Sequence, residues 1–221
     1  MSTTLLAALL LGDGRFPAGG HAHSAGIESA VLDGRVTGEA SLSAYLLGRL
    51  HTTALVESSL AAATVARRGD DLAAIDDEAE ARVTVPELRA ASRRLGRQLV
   101  RVAGRCWPSA LFAQLPEPGL HQPVALGVVG LAAGIGPAEV AAVAVHHALS
   151  TPAQAAVRLL GLDPFAVAAL LAGMADEAEL VVARAVVAAG APLLELPAFV
   201  GPACEIAAAH HTAVDGRLFV T

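Results

Sequence analysis

The clearest amphipathic helix in the sequence constrains the fold more than any other segment. It opens at residues 85–87, where Pro86 stands in the first turn and loses no hydrogen bond, and it ends at Trp107-Pro108. Other segments show the same start and stop signals, and convincing period-two strands are absent from the sequence. The sequence therefore predicts an all-α fold, a single compact helical domain over residues 1–221 with roughly eight to ten helices. The inner stripe of the clearest helix is Leu88, Ala91, Leu95, Leu99 and Val102.

Apolar spacing predicts several further helices. Residues 41–68 have helical spacing, and Ser24 is placed to cap a short helix that runs to Leu32, with Glu28 in its first turn. Residues 3–11 are apolar and fit either a helix or a buried strand, while residues 70–80 are a short acidic segment. The other predicted helices are 123–133, 137–149, 153–160, 164–189 and 202–214.

The composition raises the question of a membrane protein, because 54% of the residues are hydrophobic and only 3% are aromatic. The longest apolar run, residues 123–149, is broken by Gly136-Pro137 and Glu139, and the next, residues 165–194, is cut by charged residues. Neither run offers the roughly 20 uninterrupted apolar residues that a membrane span requires. No basic region precedes an apolar stretch at the N-terminus. We therefore expect a cytoplasmic protein whose small side chains allow close helix packing.

The charge pattern argues against nucleic acid and nucleotides as ligands. The net charge is −6, and all 15 basic residues are arginines. Without lysine there is no GxxxxGK phosphate loop, and Gly19-Gly20 lacks the GxGxxG pattern, so hydrolysis of GTP or ATP is not expected. Arginines recur at every fourth residue from Arg89 to Arg105, which suits an acidic partner or phosphate. A solvated face, partly neutralised by residues 70–80, is the more common meaning of such a pattern.

Residues 17–28 hold the densest group of special residues in the chain. One interpretation is a metal site, or a serine activated by an imidazole, built from His21, His23 and Ser24. The other is a structured turn whose polar groups cap a helix and contact a partner. Alternating histidines point in opposite directions on extended backbone, and no acidic or cysteine ligand stands beside them, so the sequence favours the turn.

The remaining histidines and the cysteines give weaker signals. His146-His147 and His210-His211 are adjacent on predicted helices, where neighbours point about 100° apart. We therefore expect one histidine of each pair to face the interior and the other to face solvent. Cys106 and Cys204 form no CxxC motif and are interpreted as buried small hydrophobes without a disulfide.

The segment 17–28 resembles the signature of the UreF family of urease accessory proteins, P-x-G-G-aromatic-x-H-S-x-G-(L/I)-E after an aspartate-containing turn. Similar blocks follow in family order at residues 91–99, 121–127 and 155–159, and the tail 210–219 is of the same kind. His21 stands where many members carry Phe, and Ala25 where Gly is common. The residues that fit the signature are Asp13, Pro17, Gly19, Gly20, His23, Ser24, Gly26, Ile27 and Glu28.

The resemblance implies an all-helical, homodimeric chaperone without a cofactor of its own, which is not an enzyme. Such proteins bridge a UreD/UreH-type accessory protein and the nickel GTPase UreG, so that nickel reaches the urease apoprotein. The N-terminal segment and the C-terminal tail typically engage the UreD-type partner, and residues 1–22 and 210–221 are expected to be flexible without it. The partner-binding residues implied are Pro17, Gly19, Gly20, His23, Ser24, Gly26, Glu28, Arg217, Leu218 and Phe219.

Two further residues, Arg93 and Gln98, are either internal struts or part of the surface that faces the GTPase. Two alternatives to the scaffold remain open. One is a direct nickel-binding or metal-dependent hydrolytic protein that uses His21, His23 and a distant histidine pair. The other is a helical interaction module unrelated to urease.

Overall fold

The structure of the chain, a computed structural model, describes residues 3–18, 24–199 and 201. These residues are mostly helical and contain no β-strand, which confirms the predicted all-α fold. The predicted helix 202–214 lies outside the described residues. The helices are α1 (Thr3–Gly12), α2 (Ile27–Leu32), α3 (Glu39–Arg49), α4 (Leu55–Ala66), α5 (Leu72–Ala81), α6 (Pro86–Cys106), α7 (Gln122–Ala133), α8 (Pro137–Leu160), α9 (Pro164–Gly173) and α10 (Ala175–Ala189).

Helix α4 lies at the centre of the core and is surrounded by α7, α8 and α10. Its residues 58–65 are all buried, although three of them carry hydroxyl groups. Those hydroxyls donate to backbone carbonyls one turn earlier in the helix, for example Thr64 Oγ1 to Leu60 O at 2.9 Å. Small side chains allow the close packing: a Cβ on Gly127 of α7 would lie 2.4 Å from Thr64 Cβ.

The predicted helix over residues 41–68 is present but contains a wider turn. A π-helical turn, Leu50–Ala54, joins α3 to α4. On one side of this turn α3 packs against α8 and α9, and on the other side α4 packs against α7 and α10. The wider turn absorbs one extra residue, so that the buried faces of the two halves both stay directed at their own neighbours.

The prediction that residues 137–149 and 153–160 form separate helices is wrong, because α8 continues through Pro152. A proline inside a helix leaves the carbonyl four residues earlier without its usual donor. Here that carbonyl belongs to Ala148, and Arg49 Nε from α3 lies 3.4 Å from it. A side chain from another helix thus partly replaces the missing hydrogen bond.

Other boundaries also differ from the predictions. The single helix predicted over 164–189 is interrupted at Met174, and the acidic segment 70–80 is largely the helix α5. Residues 3–11, whose sequence fits either a helix or a buried strand, belong to α1. Cys106, expected to be buried, is exposed at the last residue of α6, where the chain leaves the helix.

The clearest amphipathic helix of the sequence is α6, and its predicted start at Pro86 and end before Trp107 are confirmed. Of the predicted stripe, Ala91 and Leu99 are buried, while the other three positions, Leu88, Leu95 and Val102, are only partly buried. The closest approach occurs at Gly96, where a Cβ would lie 2.2 Å from Leu120 O. The missing side chain at this position lets α6 lie directly against the segment that leads into α7.

Candidate functional site

The start of the signature segment is attached to the C-terminal half of α6. Gln98 Nε2 donates to Pro17 O at 3.1 Å, and the ring of Phe16 stacks on Trp107 with centroids 6.1 Å apart. The backbone N–H of Phe16 donates to Asp13 O at 2.8 Å, which closes the turn after α1. Gln98 therefore ties the signature segment to α6 from the outer side of the helix, and its contact with a GTPase stays a prediction.

The end of the signature segment is held by two side chains from α3. Tyr45 Oη donates to Ala25 O at 3.0 Å, and Arg49 Nη1 donates to the same oxygen at 3.1 Å. Ala25 and Gly26 both have positive φ, 53° and 84°, so the chain reverses sharply before α2. Glycine suits the second position because it adopts this conformation without strain.

Sequence reasoning missed Tyr45 and Arg49 as parts of this site. Tyr45 is the only tyrosine of the chain. Arg49 lies in the last turn of a helix whose inner positions are apolar, and through Ala148 O it also reaches α8. The sequence offered only two signals, the Tyr45 hydroxyl and the Arg49 cation one helical turn later. Their target is the backbone carbonyl of Ala25, which lies 20 and 24 positions away along the chain.

Ser24 and Glu28 lie inside the fold rather than on its surface. Ser24 is 1% exposed and Glu28 is 3% exposed. Ser24 is not the helix cap that the sequence predicts: the N-cap of α2 is Gly26, because the left-handed turn at 25–26 delays the start of the helix to Ile27. The place of Glu28 in the first turn is confirmed. Burial favours an orienting role for both side chains, and a direct contact with a partner stays a prediction.

Helix α1 leads into the signature segment and is only half buried. Ala7 and Leu11 pack into the core against α8. His147 Nε2 lies 2.8 Å from Leu11 O, and burial lowers the pKa of His147, so a neutral ring donates to the end of α1. His146 beside it is exposed, which confirms the prediction of one inner and one outer histidine for this pair.

The other side of α1 presents an apolar surface to solvent. Leu5, Leu6, Leu9 and Leu10 are each about half exposed, from 46% to 60%. We refer to these four residues as the α1 leucine surface. Contiguous exposed apolar area of this kind marks interaction sites in soluble proteins.

A second site, the ionic cluster, consists of Asp76 and Glu80 on α5, Arg89 and Arg93 on α6, and His121 before α7. Arg93 Nη1 lies 2.9 Å from Asp76 Oδ2, and Arg93 Nη2 lies 2.9 Å from Glu80 Oε2. Arg93 also donates to Gly119 O at 2.6 Å. Arg93 is thus a strut that ties α5 and the 117–121 segment to α6, as one of the two predicted roles requires.

His121 completes the ionic cluster from the buried side. Its backbone N–H donates to Asp76 Oδ1 at 2.7 Å, and its Nε2 lies 2.6 Å from Glu80 Oε2. Nδ1 is buried without a hydrogen-bond partner among the described residues, so we assign the ring proton to Nε2. The hydrogen bonds from His121 and Arg93 hold the pKa of the Glu80 carboxyl below its usual value.

A second group of exposed apolar side chains lies on α9, α10 and the segment after them. Helix α9, described over its whole length, buries Val167 alone. Phe165 is 83% exposed, and Leu180 and Val187 lie seven residues apart on one side of α10. We refer to the following five exposed residues as the α9–α10 apolar surface: Phe165, Leu180, Val187, Leu194 and Phe199.

The structure leaves part of the predicted site untested. Gly19, Gly20, His21, His23, Arg217, Leu218 and Phe219 lie outside the described residues. Within the described ranges, no three His, Cys, Asp or Glu side chains come together as a metal ion would need. The described helices include none with the length and apolar character needed to cross a membrane.

Comparisons with known proteins agree on one family. The family model described as UreF matches residues 36–175. A urease accessory protein UreF of Mycobacterium sp. (strain JLS) is 41% identical over 220 residues, which cover 99% of this chain and 100% of that protein. The UreF of Mycolicibacterium vanbaalenii is 40% identical, over 99% of this chain and 100% of that protein. The UreF of Mycobacterium tuberculosis H37Rv is 43% identical, over 73% of this chain and 76% of that protein. The signature segment precedes the family-model match and lies within the two full-length matches.

Proposed function

The chain belongs to the UreF family of urease accessory proteins, and from this we propose that it is a non-catalytic scaffold for nickel insertion into urease. It bridges a UreD/UreH-type accessory protein and the nickel GTPase UreG in the cytoplasm, and it delivers the assembly to the urease apoprotein. Nickel is the cargo of the assembled complex, and the chain needs no cofactor of its own.

One observation supports this proposal more than any other: the α1 leucine surface leads into the signature segment, whose described ends are both held by hydrogen bonds. Backbone carbonyls at both ends of the signature segment accept hydrogen bonds from Gln98, Tyr45 and Arg49. An apolar helix face beside backbone that is anchored at Pro17 and Ala25 suits protein docking, because anchored groups lose little entropy when a partner binds. We assign the UreD-type partner to this surface together with the C-terminal tail.

The homodimer is assigned to a different surface. The α9–α10 apolar surface exposes two phenylalanines and three aliphatic side chains, the residue types that anchor homodimer interfaces. A two-fold axis would bring the same surface of each copy together. The α1 leucine surface then stays available for the UreD-type partner.

Co-purification tests the assignment of the UreD-type partner. We expect Leu6→Asp with Leu9→Asp to abolish co-purification of this chain with the UreD-type protein, because each of the two leucines is more than half exposed in the free chain. The matched control is Leu194→Asp, 86% exposed on the other apolar surface, which should retain the partner. Retention of the partner by the folded double variant would overturn the assignment.

Bridging is tested by adding UreG. A ternary complex that contains this chain, the UreD-type protein and UreG is expected on a sizing column, and UreG should not join the UreD-type protein when this chain is left out. Direct binding of UreG to the UreD-type protein alone would contradict the bridging role.

The metal-binding alternative is tested by nickel titration of the purified chain. A stoichiometric site of sub-micromolar affinity that is lost in the His21→Ala, His23→Ala double variant would favour direct nickel binding over the scaffold. The scaffold predicts equal titration curves for the double variant and the unmodified chain.

A further inference from the structure

Helix α6 carries two rows of arginines that differ in what they contact. The first row is Arg89, Arg93 and Arg97, and each has a partner within the chain. Arg89 Nη1 lies 3.1 Å from Glu80 Oε1, Arg93 joins Asp76 and Glu80, and Arg97 donates to Pro118 O at 2.6 Å. This row is therefore satisfied within the fold.

The second row is Arg94, Arg101 and Arg105. At 100° per residue, these three positions fall within about 40° of one another on the helix, on the side away from buried Leu99 and Ala103. All three are exposed, and within the described part of the chain none forms a hydrogen bond or an ion pair. The row extends over about 17 Å of helix, at 1.5 Å per residue.

The first row shows which ligand an arginine row on α6 binds. Asp76 and Glu80 stand four residues apart on α5, one turn of helix, and they meet Arg93 and Arg89. Carboxylates on one face of a helix are thus already recognised by guanidinium groups on α6, with charge-assisted hydrogen bonds. We propose that the second row docks an acidic helical segment of another protein in the same manner.

The place of the second row indicates which protein supplies that segment. Gln98 lies between Arg94 and Arg101 on the same side of α6, and it holds the carbonyl of Pro17 at the start of the signature segment. A protein that covers the signature segment therefore reaches the second row without a long extension. On the proposed function, on which this step rests, that protein is the UreD-type partner.

Other anionic ligands fit the second row less well. The chain carries a net charge of −6, which weakens long-range attraction of a nucleic acid or an anionic membrane. Residues 94–105 contain no aromatic side chain on which a base could stack. Three cations along about 17 Å match the spacing of carboxylates at positions i, i+7 and i+11 of a partner helix.

A labelled peptide tests the chemistry of the row independently of any partner. The probe is a fluorescein-labelled synthetic helical peptide with glutamates at i, i+7 and i+11, and its control replaces these glutamates with glutamine. Anisotropy should show binding of the glutamate peptide, weaker by about tenfold or more in the Arg94→Gln, Arg101→Gln, Arg105→Gln variant. Raising the salt concentration should weaken binding to the unmodified chain and have less effect on the variant.

The matched control removes three exposed positive charges elsewhere, with Arg35→Gln, Arg68→Gln and Arg184→Gln, and should bind the peptide as the unmodified chain does. Equal loss in both triple variants would show a net-charge effect and overturn the docking row. Stronger binding of single-stranded DNA, inorganic phosphate or anionic vesicles than of the peptide would overturn the acidic helix as ligand. A change of oligomeric state in the second-row variant would assign the row to a second copy instead.

The assignment of the second row to the UreD-type partner has a separate test. Co-purification with the UreD-type protein should fall in the second-row variant and be retained in the control variant. If the UreD-type protein fails to bind the unmodified chain, the proposed function fails while the peptide result still decides the chemistry of the row. If the UreD-type protein binds both triple variants equally, the assignment of this partner to the row is wrong and the scaffold stands.

Discussion

Helices α7 and α9 are built from the same kinds of residue and yet have different surroundings. Neither contains a charged residue, and both begin with proline within the first two positions. In α7 residues 123–130 are all buried between α4 and α6, whereas α9 buries only Val167 of the ten residues described for it. Apolar composition therefore indicates that a helix requires burial, and the topology decides whether the chain itself provides that burial. For α9, we infer that a second copy provides it.

The largest effect that this comparison predicts is at two glycines. Gly127→Leu should cost about 4 kcal/mol or more of unfolding free energy, because even a Cβ would lie 2.7 Å from Ala61 O of α4. Gly173→Leu in α9 should leave stability almost unchanged, since nothing lies within 4 Å of its Cβ position. Urea unfolding followed by circular dichroism measures both changes. Similar losses at the two glycines would mean that α9 is packed as tightly as α7.

The next effect concerns the charges that support α7. Arg93→Ala should cost about 3–5 kcal/mol, because it leaves the buried Asp76 carboxylate and its neighbour Glu80 without their main cation. Arg94→Ala, one residue along and exposed, should change stability by less than about 0.5 kcal/mol. Thermal unfolding of the two variants at pH 7.5 makes the comparison. A small loss for Arg93→Ala would show that Arg89 and His121 are sufficient to hold the ionic cluster.

A third effect should appear in association rather than in folding. Phe165→Ser removes the single aromatic ring of α9. We expect the dimer dissociation constant to rise about tenfold or more, while the unfolding midpoint of the monomer stays the same. Analytical ultracentrifugation over a range of concentrations measures this constant. Leu32→Ser, at an exposed leucine of α2, is the control. An unmodified chain that stays monomeric at high concentration would refute the assignment of the surface to a second copy.

The smallest effect tests the boundary of the core near the π turn. Burial raises the pKa of the Glu57 carboxyl, and the charge of Arg49 only partly opposes it. The folded chain therefore favours the neutral Glu57 carboxyl more than the unfolded chain does. The contribution of this group to the free energy of unfolding is fully present below pH 4.5, and it is lost as the pH rises through the pKa of the folded chain. Glu57→Gln should raise Tm at pH 7.5 by about 2–4 °C, and this gain should shrink as the pH falls and vanish by about pH 3, where the carboxyl is neutral in both states.

The control for Glu57 is the exposed Glu179 of α10, which lies beyond the first turn of its helix and whose change to glutamine should leave Tm unchanged at both pH values. Differential scanning calorimetry is suited to a difference of this size. A fall in Tm for Glu57→Gln at pH 7.5 would show that the carboxylate is stabilised in the folded chain, against the direction given by its burial.

The sequence was sufficient where local signals decide the structure. The bounds of α6 follow from Pro86 at its start and Trp107-Pro108 at its end, and the inner and outer positions of His146 and His147 follow from helix geometry. The continuity of α8 was out of reach, because it involves Arg49, which lies 99 positions from Ala148 in the chain. Contacts of such long sequence separation leave no periodic signal.

The candidate site shows the same division. The sequence located the signature segment and named Arg93 and Gln98 as struts in one of two interpretations. It could not name Tyr45 or Arg49, because their target is a main-chain oxygen that exists at that place only after folding. The misplaced cap at Ser24 has the same cause: two left-handed residues in succession cannot be read from Ala25-Gly26 alone.

The π turn Leu50–Ala54 has a consequence for how this chain can change by insertion and deletion. The wider turn absorbs one residue, so removing one residue here would restore a regular helix and leave α4 in nearly the same angular phase relative to α3. The irregular turn is therefore the element that keeps the two halves in phase with their neighbours. A chain of the same length with regular α-helical geometry between residues 39 and 66 would instead rotate α4 by about 100° and turn its apolar side chains away from their neighbours.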